Sequence, residues 1–320
     1  MPPFQATTPA QARPVSGVWL PIVTPFLKGA VDLRSYERLL NHYLDQGLTG
    51  LIPLGTTGES PTLDDDEVEA LVELTTRIVG EHLRIYVGIG GNATHKVIRA
   101  LRRLERYPFE GILSVCPYYN RPTSEGIQEH FERIADSTDR RILIYNIPHR
   151  TGVNLSNDAL FSLSRLRNVV GIKDCCANPA QSMDLLRRKP SGFAVLTGED
   201  AQFYTTLSLG GDGGILASAH FDPHAFAEVF ERVAADDHRG ARLRWSAIES
   251  ATRVFFKEPN PMPIKYWLWR RGLIESPECR LPMTRVTERL AHEIESLQEE
   301  DPLRLKSHTD LLPQEMDPVR

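Results

Sequence analysis

Several short apolar segments of this 320-residue chain run directly into side chains that can do covalent or acid–base chemistry. Lys173 ends "VVGIK", Tyr145 ends "RILIY", and Thr56 and Thr57 follow "GLIPLG". A buried lysine loses its charge more easily than an exposed one, and the neutral amine attacks a ketone to form a protonated Schiff base. A nearby phenol can move the protons that this chemistry requires. These residues predict a lysine nucleophile that acts on a keto acid.

The loop "GTTGES", residues 55–60, and Arg150 contain groups that can hold carboxylates. Glycines let the backbone approach an anion closely, so consecutive N–H groups and the two threonine hydroxyls can bind a carboxylate. Glu59 rather than lysine follows the second glycine, which distinguishes the loop from a nucleotide-binding P-loop. Arg150 can bind a second carboxylate through two parallel hydrogen bonds.

Each of these features taken alone has a purely structural alternative. A strand-end lysine often extends its charge to water, and a threonine in a Gly-rich turn often caps a helix. An arginine on a turn is usually a surface residue. Their occurrence together at the ends of separate strands favours a functional site. The segments 196–200 and 213–218, which include Gly198, are expected to supply walls and backbone contacts rather than acid–base groups.

Eight evenly apolar runs provide the strands that would position these residues, and helix-length segments separate most of them. Such runs suit a parallel sheet that is buried on both faces. We therefore predict an α/β fold, a (β/α)8 TIM barrel over residues 17–222, with its chemistry at the carboxyl ends of the strands. An open doubly wound sheet is the alternative, but no phosphate-binding glycine pattern follows the first strand. The runs are "GVWLPIVTPF", "GLIPLG", "RIYVGIG", "GILSVCP", "RILIYN", "VVGIKD", "FAVLTG" and "GGILAS".

Three further segments flank the predicted barrel. Residues 223–298 have helical patterning and are predicted to form a C-terminal helical extension. Residues 1–16, rich in Pro, Ala and Thr, are predicted to form a flexible N-terminal arm, and they lack the apolar core of a signal peptide. Residues 299–320 are predicted to form a polar tail.

The composition argues against several classes of partner. A net charge of −5 disfavours nucleic acid and anionic membranes, and no run approaches the ~18 apolar residues of a membrane helix. The four cysteines, at positions 116, 175, 176 and 279, form neither a C-x-x-C pair nor a disulfide framework, so we expect a reducing, cytoplasmic location. Cys175 and Cys176 are expected to be packing residues. Histidines lack ligand spacing, so we expect no metal.

Taken in order, the motifs resemble those of the dihydrodipicolinate synthase and N-acetylneuraminate lyase family of pyruvate-dependent class I aldolases, over about residues 17–292. The resemblance implies that Lys173 forms a covalent Schiff base with pyruvate and that no separate cofactor is needed. It implies that Tyr145 donates and accepts protons, and that Thr57 and Ile215 lie in the pyruvate pocket. The motifs are "GTTGE", "YYNRP", "YNIPHRTG", "GIKD" and "FKEPNPMPIKYWL".

The resemblance also implies an assembly and a second substrate. Tyr145, Thr56 and Tyr119 would form a hydroxyl relay, with Tyr119 reaching in from the partner subunit of a tight dimer, and two dimers would pair into a tetramer. Arg150 would receive the carboxylate of an aldehyde substrate. "YYNRP" and "PHRTG" favour the family's synthase branch, which condenses pyruvate with L-aspartate 4-semialdehyde to 4-hydroxy-tetrahydrodipicolinate for diaminopimelate and lysine biosynthesis.

Two departures from the synthase pattern are expected to lie near the barrel mouth. Asp174, Cys175 and Cys176 follow the lysine where synthases carry Glu-Ala, and His220 stands where they commonly carry asparagine. Two alternatives therefore remain. One is a pyruvate-dependent lyase or dehydratase acting on a sugar-derived 2-keto acid, similar to N-acetylneuraminate lyase. The other is a catalytically silent barrel that binds a keto acid.

The resemblance also bears on feedback inhibition by L-lysine. Lysine-sensitive synthases bind this end product at the dimer interface, and a glutamate there pairs with the ligand's cationic group. A lysine, Lys96, replaces that glutamate and presents like charge, so we expect insensitivity to L-lysine. The matching positions are Ser60, Asn92 and Tyr118, and the differing positions are Pro61, Asp65, Val68 and Lys96.

Overall fold

A computed structural model describes residues 14–299 of the chain. Eight parallel strands close into a barrel with helices between them, which confirms the predicted (β/α)8 TIM barrel. The barrel strands are β1 (Gly17–Leu20), β4 (Gly50–Leu51), β5 (Arg84–Gly88), β6 (Gly111–Val115), β7 (Arg141–Asn146), β8 (Val169–Asp174), β9 (Ala194–Thr197) and β10 (Gly213–Ile215).

The first apolar run forms two structures rather than one long strand. β1 ends at Leu20, and the chain then makes an antiparallel hairpin of β2 (Phe26–Leu27) and β3 (Ala30–Val31). Phe26 is fully buried, and the ammonium of Lys265 lies 4.1 Å from the centre of its ring. The hairpin therefore packs against the C-terminal part of the chain.

Helices follow the barrel strands and continue beyond the last one. α9 (Pro223–Ala234) follows β10 and contacts β1, so it completes the helical layer of the barrel. α10 (His238–Val254) contacts both α9 and α12 (Glu288–Glu299). The helices are α1 (Leu33–Tyr43), α2 (Asp65–Val79), α3 (Thr94–Leu104), α4 (Ser124–Asp136), α5 (Pro148–Thr151), α6 (Asn157–Leu163), α7 (Pro179–Arg188), α8 (Phe203–Ser208), α9 (Pro223–Ala234), α10 (His238–Val254), α11 (Met262–Arg270) and α12 (Glu288–Glu299).

The two predicted terminal segments lie almost entirely outside residues 14–299. The arm predicted over residues 1–16 lies outside the described residues except for 14–16, and the tail predicted over 299–320 does so except for 299. Within the described range, no helix has the length and apolar character needed to cross a membrane.

Two apolar cores stabilise the barrel, one inside the strands and one between the strands and the helices. Successive side chains of a strand point to opposite faces. In β7, Leu143 and Tyr145 therefore belong to the interior core, whereas Ile144 belongs to the outer core. Trp19 fills the interior so closely that a Cβ on Gly50 would lie less than 3.0 Å from its ring. This packing closes the barrel below the level of Tyr145.

Candidate active site

Lys173 and Tyr145 lie side by side at the carboxyl ends of neighbouring strands. The register of β7 and β8 pairs the two residues directly, and the Nζ atom of Lys173 lies 4.4 Å from the centre of the Tyr145 ring. Each residue exposes only 7% of its surface. The fold thus brings the predicted nucleophile and the predicted proton carrier together, with little exposure of either side chain to solvent.

The surroundings of Lys173 favour its neutral form. Burial lowers the pKa of the Lys173 ammonium, because desolvation penalises the charged state, and Arg150 acts in the same direction. The nearby Cys175, Asp200 and Glu199 oppose that effect and favour the ammonium. The net direction is downward, as a nucleophilic amine requires.

The surroundings of Tyr145 keep its phenol protonated. Burial raises the pKa of Tyr145 well above its ordinary value, and the neighbouring Cys175 acts in the same direction. The Arg150 guanidinium and the neighbouring Thr56 hydroxyl act in the opposite direction by stabilising the phenolate. Tyr145 is therefore a proton donor at rest.

Both side chains line a cavity of about 560 Å³ at the mouth of the barrel. The same cavity is lined by Thr56, Thr57 and Arg150, so it joins five of the predicted site residues. Two other predicted site residues, Gly198 and Ile215, are not among the residues that line it. Gly198 follows β9 beside the Lys173 side chain, and Ile215 in β10 is fully buried in the interior core.

The two threonines of the loop 55–60 are not helix caps. Helix α2 begins only at Asp65, and Asp64 caps it through the Glu67 amide. The loop instead folds on itself, since the Gly58 amide donates to the Gly55 carbonyl. The hydroxyls of Thr56 and Thr57 therefore remain beside the cavity, in the position that an anion-binding role requires.

Arg150 lines the rim of the cavity, whereas Tyr119 lies outside it. Arg150 sits on the short helix α5, and within residues 14–299 its guanidinium has no hydrogen-bond or ion-pair partner. It is available to bind an anion that enters the cavity. Tyr119 exposes 89% of its surface and has a left-handed backbone, with φ of 73°. It does not join Tyr145 and Thr56 within a single chain.

Comparisons with known proteins agree with this geometry. The model of the "Dihydrodipicolinate synthetase family" matches residues 14–300. The chain belongs to this family. It is 48% identical over 280 residues to 4-hydroxy-tetrahydrodipicolinate synthase 2 of Clostridium acetobutylicum, which covers 88% of this chain and 98% of the relative. The family resemblance found in the motifs is thereby confirmed.

Solved structures of the dihydrodipicolinate synthetase family have the same fold. A monomeric dihydrodipicolinate synthase variant superposes with a TM-score of 0.87 at 36% identity, covering 89% of this chain and 96% of the other. The chloride-inhibited synthase of Acinetobacter baumannii, solved in complex with pyruvate, has a TM-score of 0.86 at 33% identity, with 89% and 98% covered.

The two departures from the synthase pattern lie in different environments. His220 is 2% exposed and does not reach the substrate cavity, since its Nδ1 lies 2.6 Å from the Tyr43 hydroxyl and its Nε2 lies 3.2 Å from the Pro21 carbonyl. His220 follows β10 and contacts Pro21, which lines the cavity, but His220 itself is not among the lining residues. Cys175, by contrast, is buried beside Tyr145 in the interior core, within the site itself.

Asp200 is a site-adjacent group that sequence reasoning missed. Its buried carboxylate accepts hydrogen bonds of 2.6 Å from both the amide and the hydroxyl of Ser218, and burial raises its pKa to about 6. It thereby links the turn after β9 to the turn after β10 and lies within electrostatic reach of Lys173. No pattern in the sequence distinguishes Asp200 from the neighbouring Glu199.

We predict that Gly198→Ala lowers turnover strongly. A Cβ at this position would lie less than 3.0 Å from the Lys173 Cε and the Cys175 Sγ, so the lysine must move. Misplacement of a reacting group by about 1 Å can cost roughly 10²-fold in rate. Steady-state kinetics should be compared with those of Gly126→Ala, where a Cβ finds space 3.4 Å from its nearest neighbour. Equal activity of the two variants would contradict this role.

Proposed function

We propose that this protein condenses pyruvate with L-aspartate 4-semialdehyde to form 4-hydroxy-tetrahydrodipicolinate, through a Schiff base on Lys173. The observation that carries the proposal is the buried pair of Lys173 and Tyr145, 4.4 Å apart, facing a cavity with carboxylate-binding groups. Membership of the dihydrodipicolinate synthetase family, and the synthase names of its relatives, support the same reaction.

The first half of the reaction activates pyruvate. The neutral Lys173 amine attacks the ketone carbon, and a proton from Tyr145 lets the ketone oxygen leave as water. A protonated imine then joins the lysine nitrogen to that carbon, and Tyr145 is left as the phenolate. The Thr57 hydroxyl and neighbouring loop amides hold the carboxylate. The positive imine withdraws electrons, so the methyl group loses a proton to the relay of Tyr145 and Thr56 and becomes a nucleophilic enamine.

The second half joins the two substrates. The enamine carbon attacks the aldehyde, and Tyr145 returns a proton to the oxygen that becomes the hydroxyl group. Arg150 holds the carboxylate of the aldehyde substrate at the rim. Because the product is cyclic, the substrate's own amine must then add to the imine carbon and displace Lys173, which regenerates the enzyme without any other cofactor.

The proposed function has a direct covalent test. The protein is incubated with pyruvate, reduced with borohydride and digested, and a pyruvate-derived mass is expected on the peptide that contains Lys173. Condensation with L-aspartate 4-semialdehyde is then compared with pyruvate release from sugar-derived 2-keto acids. An adduct with activity only in the second assay would favour the sugar-acid lyase, and an adduct without turnover would favour a silent binding barrel. Absence of the adduct would exclude covalent catalysis.

Arg150→Ala is expected to raise the KM for the aldehyde far more than the KM for pyruvate. A charge-assisted fork to a carboxylate contributes about 1.5–3 kcal/mol, equivalent to roughly tenfold or more in affinity. Initial rates with each substrate varied in turn measure the two constants. Arg121→Ala serves as the control, because Arg121 lies outside the cavity lining and donates to the Gly152 carbonyl at 3.2 Å, just after α5. Equal increases in both KM values would place Arg150 in a structural role.

We also propose that two chains form a tight dimer in which Tyr119 completes the partner's relay, and that two dimers form a tetramer in the cytoplasm. The exposure of Tyr119 on its own chain supports the first part of this proposal. The free state of Cys116, Cys175, Cys176 and Cys279 fits a reducing compartment. Sedimentation velocity measures the mass of the assembly in solution.

L-Lysine at physiological concentration is expected to leave turnover unchanged. Lys96 is exposed on α3, so its charge is available at the position where lysine-sensitive synthases carry the glutamate that pairs with the ligand. Like charge at close range disfavours such a ligand. The condensation is assayed with L-lysine up to the millimolar range. Half-inhibition below about 1 mM, near −4.1 kcal/mol if it reports a Kd, would contradict this expectation.

A further inference from the structure

The loop 55–60 has a backbone that its own sequence does not favour. Leu54 and Glu59, at its two ends, have φ values of 61° and 51°, in the left-handed region. Non-glycine residues rarely adopt this region, and they stay there only where the surrounding structure holds them. Contacts from elsewhere in the chain must therefore stabilise this conformation.

The first such contact is a buried ion pair between the loop and the C-terminal helix α11. Lys265 and Glu59 expose 0% and 2% of their side chains, and the Lys265 ammonium donates to a Glu59 carboxylate oxygen. The ammonium also donates to the Glu278 carbonyl at 2.7 Å. The second Glu59 oxygen accepts the Arg280 amide at 3.0 Å. Glu59 is thus fully partnered by residues more than 200 positions away.

The second contact reaches the carboxylate-binding hydroxyl itself. The side-chain amide of Asn260 donates to the Thr57 Oγ1 at 2.8 Å, and both residues are buried. A hydroxyl that accepts this bond has its own proton free for another acceptor. The side-chain oxygen of Asn260, Oδ1, is buried without a partner in the described part of the chain. The residue lines the substrate cavity.

We propose that Asn260 and Lys265 are positioning residues through which the C-terminal helical extension controls pyruvate binding. Lys265 holds the loop in its left-handed conformation through Glu59. Asn260 donates a hydrogen bond to the Thr57 hydroxyl oxygen, so that the hydroxyl proton points to the pyruvate carboxylate and is donated to it. This inference rests on the proposed function.

The experiment measures pyruvate binding without turnover. Borohydride trapping on Lys173 is followed as a function of pyruvate concentration, which yields a half-saturating concentration for each variant. Asn260→Ala is expected to raise this concentration by about three- to tenfold, as expected for one lost hydrogen bond. Lys265→Met can leave a buried unpaired carboxylate and fail to fold, so Glu59→Gln/Lys265→Met, which removes both charges, is measured beside it. The double variant is expected to raise half-saturation by roughly tenfold.

A double-mutant cycle distinguishes positioning from general structural damage. If Asn260 acts through Thr57, then Thr57→Val and Thr57→Val/Asn260→Ala should have the same half-saturating concentration, because the second change removes nothing further. Lys189→Met is the matched control. It deletes a lysine that pairs with Asp212 at 2.6 Å, near the start of β9 at the opposite end of the barrel, and half-saturation should not change.

Hydrogen exchange provides a readout that does not depend on pyruvate. Peptides spanning residues 54–60 should exchange faster in Asn260→Ala and in Glu59→Gln/Lys265→Met than in wild type or Lys189→Met. The inference would be overturned if exchange in residues 54–60 were unchanged, or if the half-saturating pyruvate concentration stayed within about twofold of wild type. It would also be overturned if the increases in half-saturating concentration caused by Asn260→Ala and Thr57→Val multiplied in the double variant. If the wild-type protein formed no pyruvate adduct, the proposed function would be overturned instead. Hydrogen exchange alone would then show whether Asn260 and Lys265 hold the loop 55–60.

Discussion

Lys173→Met is expected to abolish turnover and to leave the fold intact. The substitution retains an unbranched side chain that can pack beside Gly198 and Cys175 but removes the amine that forms the Schiff base. Because burial disfavours the ammonium, removal of this group should not lower the free energy of unfolding. Residual activity is expected below about a thousandth of wild type, with no pyruvate adduct after borohydride reduction.

The interpretation of this variant depends on two controls. Lys189→Met makes the same chemical change at the amino ends of the strands and should retain wild-type activity. Thermal unfolding of both variants then separates loss of the nucleophile from loss of structure. Residual condensation above about a thousandth of wild type, in a folded Lys173→Met protein, would count against covalent catalysis.

Tyr145→Phe is expected to lower kcat by about 10²–10⁴-fold, the range that a general acid–base group contributes. Phenylalanine keeps the ring whose centre lies 4.4 Å from the Lys173 Nζ atom, but it cannot donate or accept a proton. The KM for pyruvate should change little, because the carboxylate contacts are made by the loop 55–60. Steady-state kinetics and the rate of pyruvate trapping measure these two effects separately.

Tyr86→Phe is the matched control for this experiment. Tyr86 is likewise a buried strand tyrosine of the interior core, but its hydroxyl donates at 3.4 Å to Glu110, far from Lys173 in the barrel register. It should therefore behave as wild type in both assays. If Tyr145→Phe retained more than about a tenth of wild-type kcat, another group would have to carry the proton.

The barrel strands and the meeting of Lys173 with Tyr145 can be predicted from the sequence, because both depend on local pattern. Short apolar runs separated by helix-length segments predict parallel strands, and parallel strands must present their carboxyl ends at one face. Side chains that follow such runs, including Lys173 and Tyr145, must therefore meet there. The alternation of side chains along β7 and β8 further places both residues on the same face.

Contacts between distant segments had to come from the tertiary structure. Asn260 and Lys265 lie about 200 residues from Thr57 and Glu59, and no spacing rule connects them across that distance. Cys175 is a packing residue of the interior core, as its sequence context indicates, but only the pairing of β7 with β8 places it in the same cluster as Tyr145. Local periodicity thus determined which residues end the strands. The closure of the barrel, and the return of the C-terminal helices to its mouth, decided which side chains hold the loop that faces the nucleophile, because only packing brings such separated residues into contact.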